Sequence, residues 1–407
     1  MEVKPGYKQT EVGVIPEEWE VAELSAVTTQ IGDGLHGTPL YSPNGSYFFI
    51  NGNNLGDGRI VFTNETQSVG SAEFIKHRKP LGDRSILMSI NGTIGNLALF
   101  NDEPVMLGKS VAFLNVSPRV SKNFIYHSLR APKVKQQFFG GLTGSTIGNL
   151  GLATIRGTKI LLPPSEDEQR AIAAALSDVD GLLGGLARLI AKKRDLRQAA
   201  MQQLLTGQTR LPGFSGEWEV RRLGDAFTIS AGKSKSAYVV EDGDFWVCDM
   251  GSVSIEGRLI VSKRTNYRGD FLKRGDLIMP KDDIGGGNII GKVGYIDADD
   301  TYIIGDHVYC LRALKGDPRF FANVINSHRV NSALRKKVIG SAQLGLGRKS
   351  VNEQEIQLPP HSEQTAIAEV LTEMDGELAV LEQRREKTRA LKQAMMQELL
   401  TGRTRLI

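Results

Sequence analysis

The chain has 407 residues, 40% of them hydrophobic and 24% charged, which is enough for two or three soluble domains with real cores. Two cysteines, Cys248 and Cys310, and six scattered histidines exclude a disulfide scaffold and offer no metal-ligand spacing, so a reduced, cytoplasmic protein is expected. No apolar run approaches the ~20 residues of a membrane span, the opening Met1-Glu2-Val3-Lys4-Pro5 lacks a signal-peptide pattern, and a net charge of +4 does not by itself indicate nucleic acid.

Residues 1–162 read as a mixed unit. Short β-like runs at Ser46–Ile50 and Ser85–Ile90 lie between Gly, Asn and Asp turns, and Asn123–Arg130 is predicted helical. Residues 163–210 begin after Leu162-Pro163-Pro164. Ser165 and Glu168 have capping-box spacing, and Ile172, Leu176, Val179, Leu183, Leu186 and Ile190 step by 4, 3, 4, 3, 4. That is a heptad seam, which turns polar at Lys193 and stops at Gly207. Residues 211–357 are again mixed, with strands predicted at Phe245–Cys248 and His307–Leu311 and a helix at Phe320–Asn326. Residues 358–407 repeat the helical pattern through Ile367, Leu371, Met374, Leu378 and Leu381, then turn polar at Arg385 and Thr388 and stop at Gly402. Each helix is about 40 residues, or roughly 60 Å.

The order of units is itself a repeat. Glu168-Gln169 returns as Glu363-Gln364, and Leu204-Leu205-Thr206-Gly207 as Leu399-Leu400-Thr401-Gly402, all at a shift of 195. The ending Thr209-Arg210-Leu211 returns as Thr404-Arg405-Leu406. Trp19-Glu20-Val21 answers Trp218-Glu219-Val220, and Gly82-Asp83 answers Gly275-Asp276. Two helices separated by a whole mixed unit are expected to pair antiparallel.

Catalytic motifs are weak. Gly286-x-x-x-x-Gly291-Lys292 has the outline of a phosphate loop, but Val293 stands where the magnesium-binding hydroxyl belongs, and a strand is predicted where a helix should follow. His36 has no second ligand for zinc, and no Gly-x-Ser-x-Gly elbow occurs. The chain is expected to catalyse nothing alone.

The Pro-Pro entry, the Glu-Gln-x-x-Ile start, the long helix and the Leu-Leu-Thr-Gly exit, used twice after two divergent units, resemble the specificity subunits of type I restriction-modification systems. Asp33-Gly34-Leu35-His36 with Thr38-Pro39, and Gly144-Ser145-Thr146-Ile147, add to the resemblance. The second half departs from it, with no Asp-Gly-x-His and with Gly340-Ser341-Ala342-Gln343 in place of Gly-Ser-Thr-Ile.

The resemblance implies an α+β fold with a pseudo-two-fold internal repeat. Target-recognition domains at 1–162 and 211–357 would be separated by helical spacers at 163–210 and 358–407, paired as an antiparallel coiled coil. It implies a non-catalytic subunit that reads a bipartite site in double-stranded DNA. Two DNA-adenine methyltransferase subunits would dock on the helices through the seam residues given above, and motor-nuclease (restriction) subunits would join for cleavage. The cofactors S-adenosylmethionine, ATP and magnesium would sit on those partners and none on this chain. Two alternatives stay open: a partner that fuses methyltransferase and nuclease, and a structural tether that binds no DNA.

DNA contacts are expected from polar and basic side chains on loops. The candidates are Lys76, Arg78, Lys79, Arg84, Lys109, Thr143, Ser145 and Thr146 in the first domain. In the second they are Lys233, Lys235, Arg264, Lys281, Ser341, Gln343, Arg348 and Lys349.

Overall fold

The computed structural model describes residues 4–143, 148–283, 286–340 and 344–406. It divides into two compact units, one of residues 1–187 with 384–407 and one of residues 188–383. Each unit takes a globular part, the first half of the long helix that follows it, and the second half of the other long helix.

The main elements of the first unit are β1 (Glu20–Glu23), β2 (Thr28–Asp33), β3 (Tyr47–Ile50), β4 (Ser85–Ser89), β5 (Leu97–Leu99), β6 (Val105–Leu107), β7 (Val111–Val116), α1 (Lys122–Leu129), α2 (Pro132–Gly140), β8 (Lys159–Leu162) and α3 (Glu166–Leu204). An antiparallel sheet runs in the order β5-β4-β7-β2, and Ala112 on β7 pairs with both Asp33 and Met88. The run Ser85–Ser89 is buried throughout, the pattern of a strand covered on both faces. β3 and β6 pair parallel beside this sheet, and β8 closes on β1.

The second unit repeats these pairings with β9 (Glu219–Arg222), β10 (Phe227–Ala231), β11 (Phe245–Cys248), β12 (Leu277–Pro280), β13 (Gly294–Tyr295), β14 (Tyr302–Ile304), β15 (Val308–Ala313), α4 (Pro318–Asn326), α5 (His328–Arg335), β16 (Glu355–Leu358) and α6 (His361–Leu399). Its sheet order, β13-β12-β15-β10, matches the first strand for strand. β11 runs parallel to β14, and β9 pairs with β16. The fold is α+β, written twice.

The repeated motifs explain how each unit closes. Ser165 Oγ accepts from the Glu168 amide, as the capping box requires. Gln169 donates to the Pro163 carbonyl at 2.9 Å and accepts from the Ser121 amide, fastening the start of α3 to the domain before it. Gln364 does the same with Pro359 and the Asp317 amide. Glu168, buried in the first unit, takes Arg405 from the end of the chain. Glu363, buried in the second, takes Arg210 from the end of α3's copy of that ending. Each arginine lies over the repeated tryptophan, Arg405 over Trp19 and Arg210 over Trp218. Gly207 and Gly402 end the helices with φ of 70° and 68°, the left-handed turn that glycine takes without a Cβ penalty.

In the second unit Arg197 bonds Asp375 and Lys193 bonds Glu377, so the numbering falls along one helix as it rises along the other. In the first unit Lys392 meets Asp180 as Arg405 meets Glu168. The two helices are antiparallel within each unit.

The seam residues are consumed by this closure. Ile172 and Leu176 join Ile86, Leu114 and Phe124 in the core of the first unit, with Met396 and Leu399 from the other helix. Ile367 and Leu371 do the same in the second, with Met201 and Leu204. Leu186, Ile190 and Leu378 are buried as well, while Val179, Leu183, Met374 and Leu381 are half-buried. The buried part of the stripe therefore packs against the chain itself, while its half-buried residues keep some exposed surface. Outward-facing apolar residues on the helices are Leu182 and Leu391 in the first unit and Leu189, Leu196 and Val380 in the second.

Candidate nucleic-acid interface

In each unit one end of the antiparallel sheet collects loops from several strands. In the first unit β2 ends at Asp33, β4 runs on into Asn91, and Lys109 and Ser110 lead into β7. Asn91 bridges to Asn149 on the short hairpin that carries Thr143. The loops pack backbone to backbone. A Cβ on Gly34 would stand 2.3 Å from the Gly108 carbonyl oxygen, so glycine is required there. His36 extends from this end and donates through Nε2 to Asp33 Oδ2 at 2.6 Å. Ser110 turns inward to accept from the Gly52 amide and to bond the Asn51 side chain.

The second unit builds the same end from different chemistry. Gly232 and Lys233 follow β10, Lys281 and Asp282 follow β12, and Asp306 and His307 precede β15. His307 Nδ1 donates to Asp282 Oδ2 at 2.7 Å, and Lys281 Nζ lies 3.6 Å from the same oxygen. Asp282–Asp283 pairs with Leu344–Gly345, and the Leu346 amide donates to the Lys281 carbonyl, bringing the helix that carries Arg348 and Lys349 alongside.

The candidate residues divide accordingly. Lys109 and Thr143 in the first unit, and Lys233, Lys281 and Arg348 in the second, belong to these sheet ends or the segments tied to them; Lys109, Lys233 and Arg348 are exposed. Lys349 is exposed on the same helix as Arg348 and lies 3.9 Å from Glu353. Lys76, Arg78 and Lys79 follow one another at the end of a helix whose Phe74 stacks on Tyr47, at the start of β3 and away from the Gly108 turn. Ser145, Thr146, Ser341 and Gln343 lie outside the described residues.

Three candidates have other tasks. Arg84 is spent on the carbonyls of Val116, Ser117 and Val120, at the opposite end of the sheet. Lys235 is buried, 2.8 Å from Asp270 and over the Tyr267 ring, so its charge is already neutralised inside the unit. Arg264 lies over Trp246, 4.4 Å from the ring centroid, a cation–π contact that holds its guanidinium in place. Sequence reasoning missed His307, Asp282, Asn91 and Asn149 at these ends. Only the strand register identifies them, setting Asn91 and His307 just outside strands of the sheet and pairing Asn149 and Asp282 in short two-stranded ladders beside it.

The glycine loop is not a phosphate cradle. Lys292 donates to the Asn326 carbonyl at 3.0 Å, and β13 follows it. Among the described residues no group of three or more His, Cys, Asp or Glu side chains could hold a metal ion. Both thiols are buried, and burial pushes Cys248 and Cys310 up to about 12, which removes thiolate chemistry at neutral pH. No helix among the described residues is long and apolar enough to cross a membrane.

A doubled fold with matched topology, its sheet ends carrying different polar residues, defines a protein with two related ligand-reading domains. Comparison with known proteins places it. The family described as type I restriction modification DNA specificity domain matches residues 16–190 and again 215–389, and the chain belongs to that family. It is similar to the type I restriction enzyme MjaVIII specificity subunit of Methanocaldococcus jannaschii, with 24% identity over 96% of this chain and 94% of that one. Its fold is that of the type I restriction-modification system S subunit from M. genitalium, with a TM-score of 0.65, 17% identity and 98% of each chain covered. A chain from a structure of type I restriction-modification complex assembly matches with a TM-score of 0.56, 17% identity, and 95% and 99% covered.

Proposed function

We propose that this chain is the targeting subunit of a type I restriction-modification complex, each globular part reading one half of a bipartite site in double-stranded DNA. The observation that carries this reading is the pair of sheet ends. One topology presents Asn91, Lys109 and His36 in the first unit and Asp282, Asp306 and His307 in the second. Shared backbone with divergent polar side chains is what two different half-sites demand, because base edges are told apart by donors and acceptors. Exposed lysines beside them supply phosphate contacts that position without specifying.

The chemistry falls to the partners. Two DNA-adenine methyltransferase subunits would bring S-adenosylmethionine, and restriction subunits would bring ATP and magnesium, in the cytoplasm. The outward apolar residues Leu182, Leu189, Leu196, Val380 and Leu391 supply docking area on the long helices, since the inward seam is occupied. The test is a genome-wide map of methylated adenine in cells expressing the chain with its methyltransferase, beside a strain in which residues 211–357 come from another recognition domain. A bipartite motif in which the exchange alters one half is the expected result. No methylated motif from a soluble, assembled wild-type pair would overturn it.

A further inference from the structure

Resting on that reading, we infer that His307 reads a base edge in the half-site of the second unit, and that Asp282 is its positioning residue. His307 occupies the turn between β14 and β15, one residue before the strand. Its backbone is left-handed, with φ of 60°, a region uncommon outside glycine and one in which Asn, Asp and His are the side chains most often found. The turn is not loose: the Lys281 amide donates to the His307 carbonyl at 3.0 Å. A left-handed turn fixed by its neighbours at a loop end sets the direction in which the ring leaves the backbone.

The ring's surroundings define that use. Nδ1 carries the proton that Asp282 Oδ2 accepts at 2.7 Å, which sets the tautomer and aims the ring. Nε2 is 3.8 Å from Asp306 Oδ2, beyond hydrogen-bond reach, and the side chain is 44% exposed. In the neutral ring Nε2 is a lone-pair acceptor, so the partner it selects is an exocyclic amino group, of adenine or cytosine. The equivalent residue of the first unit, Ser110, is turned inward onto Asn51 and Gly52. The same backbone position is therefore structural in one unit and outward-facing in the other.

Asp282 would repel phosphate if its charge stood alone. Lys281, 3.6 Å from its Oδ2 oxygen, offsets that charge, and Asp282 acts through the ring that donates to it. The exposed Lys233 then serves as the flanking phosphate contact.

The experiment uses the full chain with its methyltransferase partner and maps methylated adenines for wild type, His307→Asn, His307→Gly and Asp282→Asn. Asn and Gly both accept the left-handed backbone, so the fold of the turn is retained. One specified position in the half assigned to residues 211–357 is expected to become degenerate, with discrimination there falling roughly tenfold, while the other half stays intact. Asp282→Asn is expected to relax the same position. Binding of the purified complex to the wild-type site and to single-base variants gives the same readout should methylation be weak. An unchanged motif in both His307 variants overturns the inference. So does a uniform loss of binding with discrimination preserved, which would make His307 a phosphate contact or a structural residue. A wild-type complex with no bipartite motif overturns the functional reading itself.

Discussion

Arg405 and Glu168 stand 237 positions apart in the chain and meet in the first unit, Arg405 Nη2 donating to Glu168 Oε2 at 2.9 Å. Their counterparts Arg210 and Glu363 meet in the second, at 2.6 Å. Each helical repeat carries a glutamate at its start and an arginine at its end, and the partner of each lies in the other copy. The last residues of the chain thus do for the first unit what the linker after Gly207 does for the second.

Breaking either pair is expected to damage one unit. Glu168 and Glu363 are buried, so Arg405→Ala or Arg210→Ala leaves a buried carboxylate uncompensated and destabilises the unit that holds it. Hydrogen exchange should show lost protection in residues 1–187 for Arg405→Ala and in residues 188–383 for Arg210→Ala. Equal loss in both units from either variant would contradict the pairing.

The first unit is expected to weaken in acid through His127. The ring is buried in α1, bonded to Ser177, with Arg130, Asp180 and Lys392 around it, and burial pushes it down to about 4. Unfolded histidine titrates near 6.5, so between the two values the unfolded chain binds more protons and stability falls as pH falls. The loss should begin below about pH 6.5, finish near pH 4 and reach about 3 kcal/mol. His127→Gln should flatten that limb of a stability curve measured from pH 7 to 4.

Seam and outward apolar residues are expected to separate in effect. Leu378 is buried, so Leu378→Asp should cost several kcal/mol of fold stability by burying an unpaired charge. Leu196, 48% exposed, should tolerate aspartate with a Tm near wild type while losing co-purification with the methyltransferase. Retention of the partner by a folded Leu196→Asp chain would remove that residue from the docking face.

Lys109 and Arg84 also make opposite predictions. Lys109→Ala should weaken DNA binding evenly across sequences and reduce the salt dependence of log K by about one. Arg84→Ala should instead lower stability by about 1–3 kcal/mol, because it removes the donor shared by the Val116, Ser117 and Val120 carbonyls. Calorimetry and salt titration of the complex read the two apart.

Much of this was legible in the amino-acid order. The strands at Phe245–Cys248 and Ser85–Ser89, the helices near 123–130 and 320–326, both long helices and their glycine stops follow from local patterning. So does the doubling, because a repeat is a property of order alone. The roles of the repeated residues were not legible. Glu168 and Gln169 look like parts of a helix start, and only folding shows that one reaches Arg405 and the other the Ser121 amide. The candidate interface was the least visible part. Lys109, Lys235, Arg84 and Arg264 are equivalent as basic residues in a string, yet one is exposed at the sheet end, one buried on Asp270, one spent on carbonyls and one held over Trp246. Periodicity and turn chemistry act between neighbours a few positions apart, so the chain order determined the elements, the repeat and the family. Which charges remain free for a ligand depends on partners far outside that range, from Trp246 for Arg264 to Asp270 for Lys235 and Glu168 for Arg405, and only the tertiary structure brings those together.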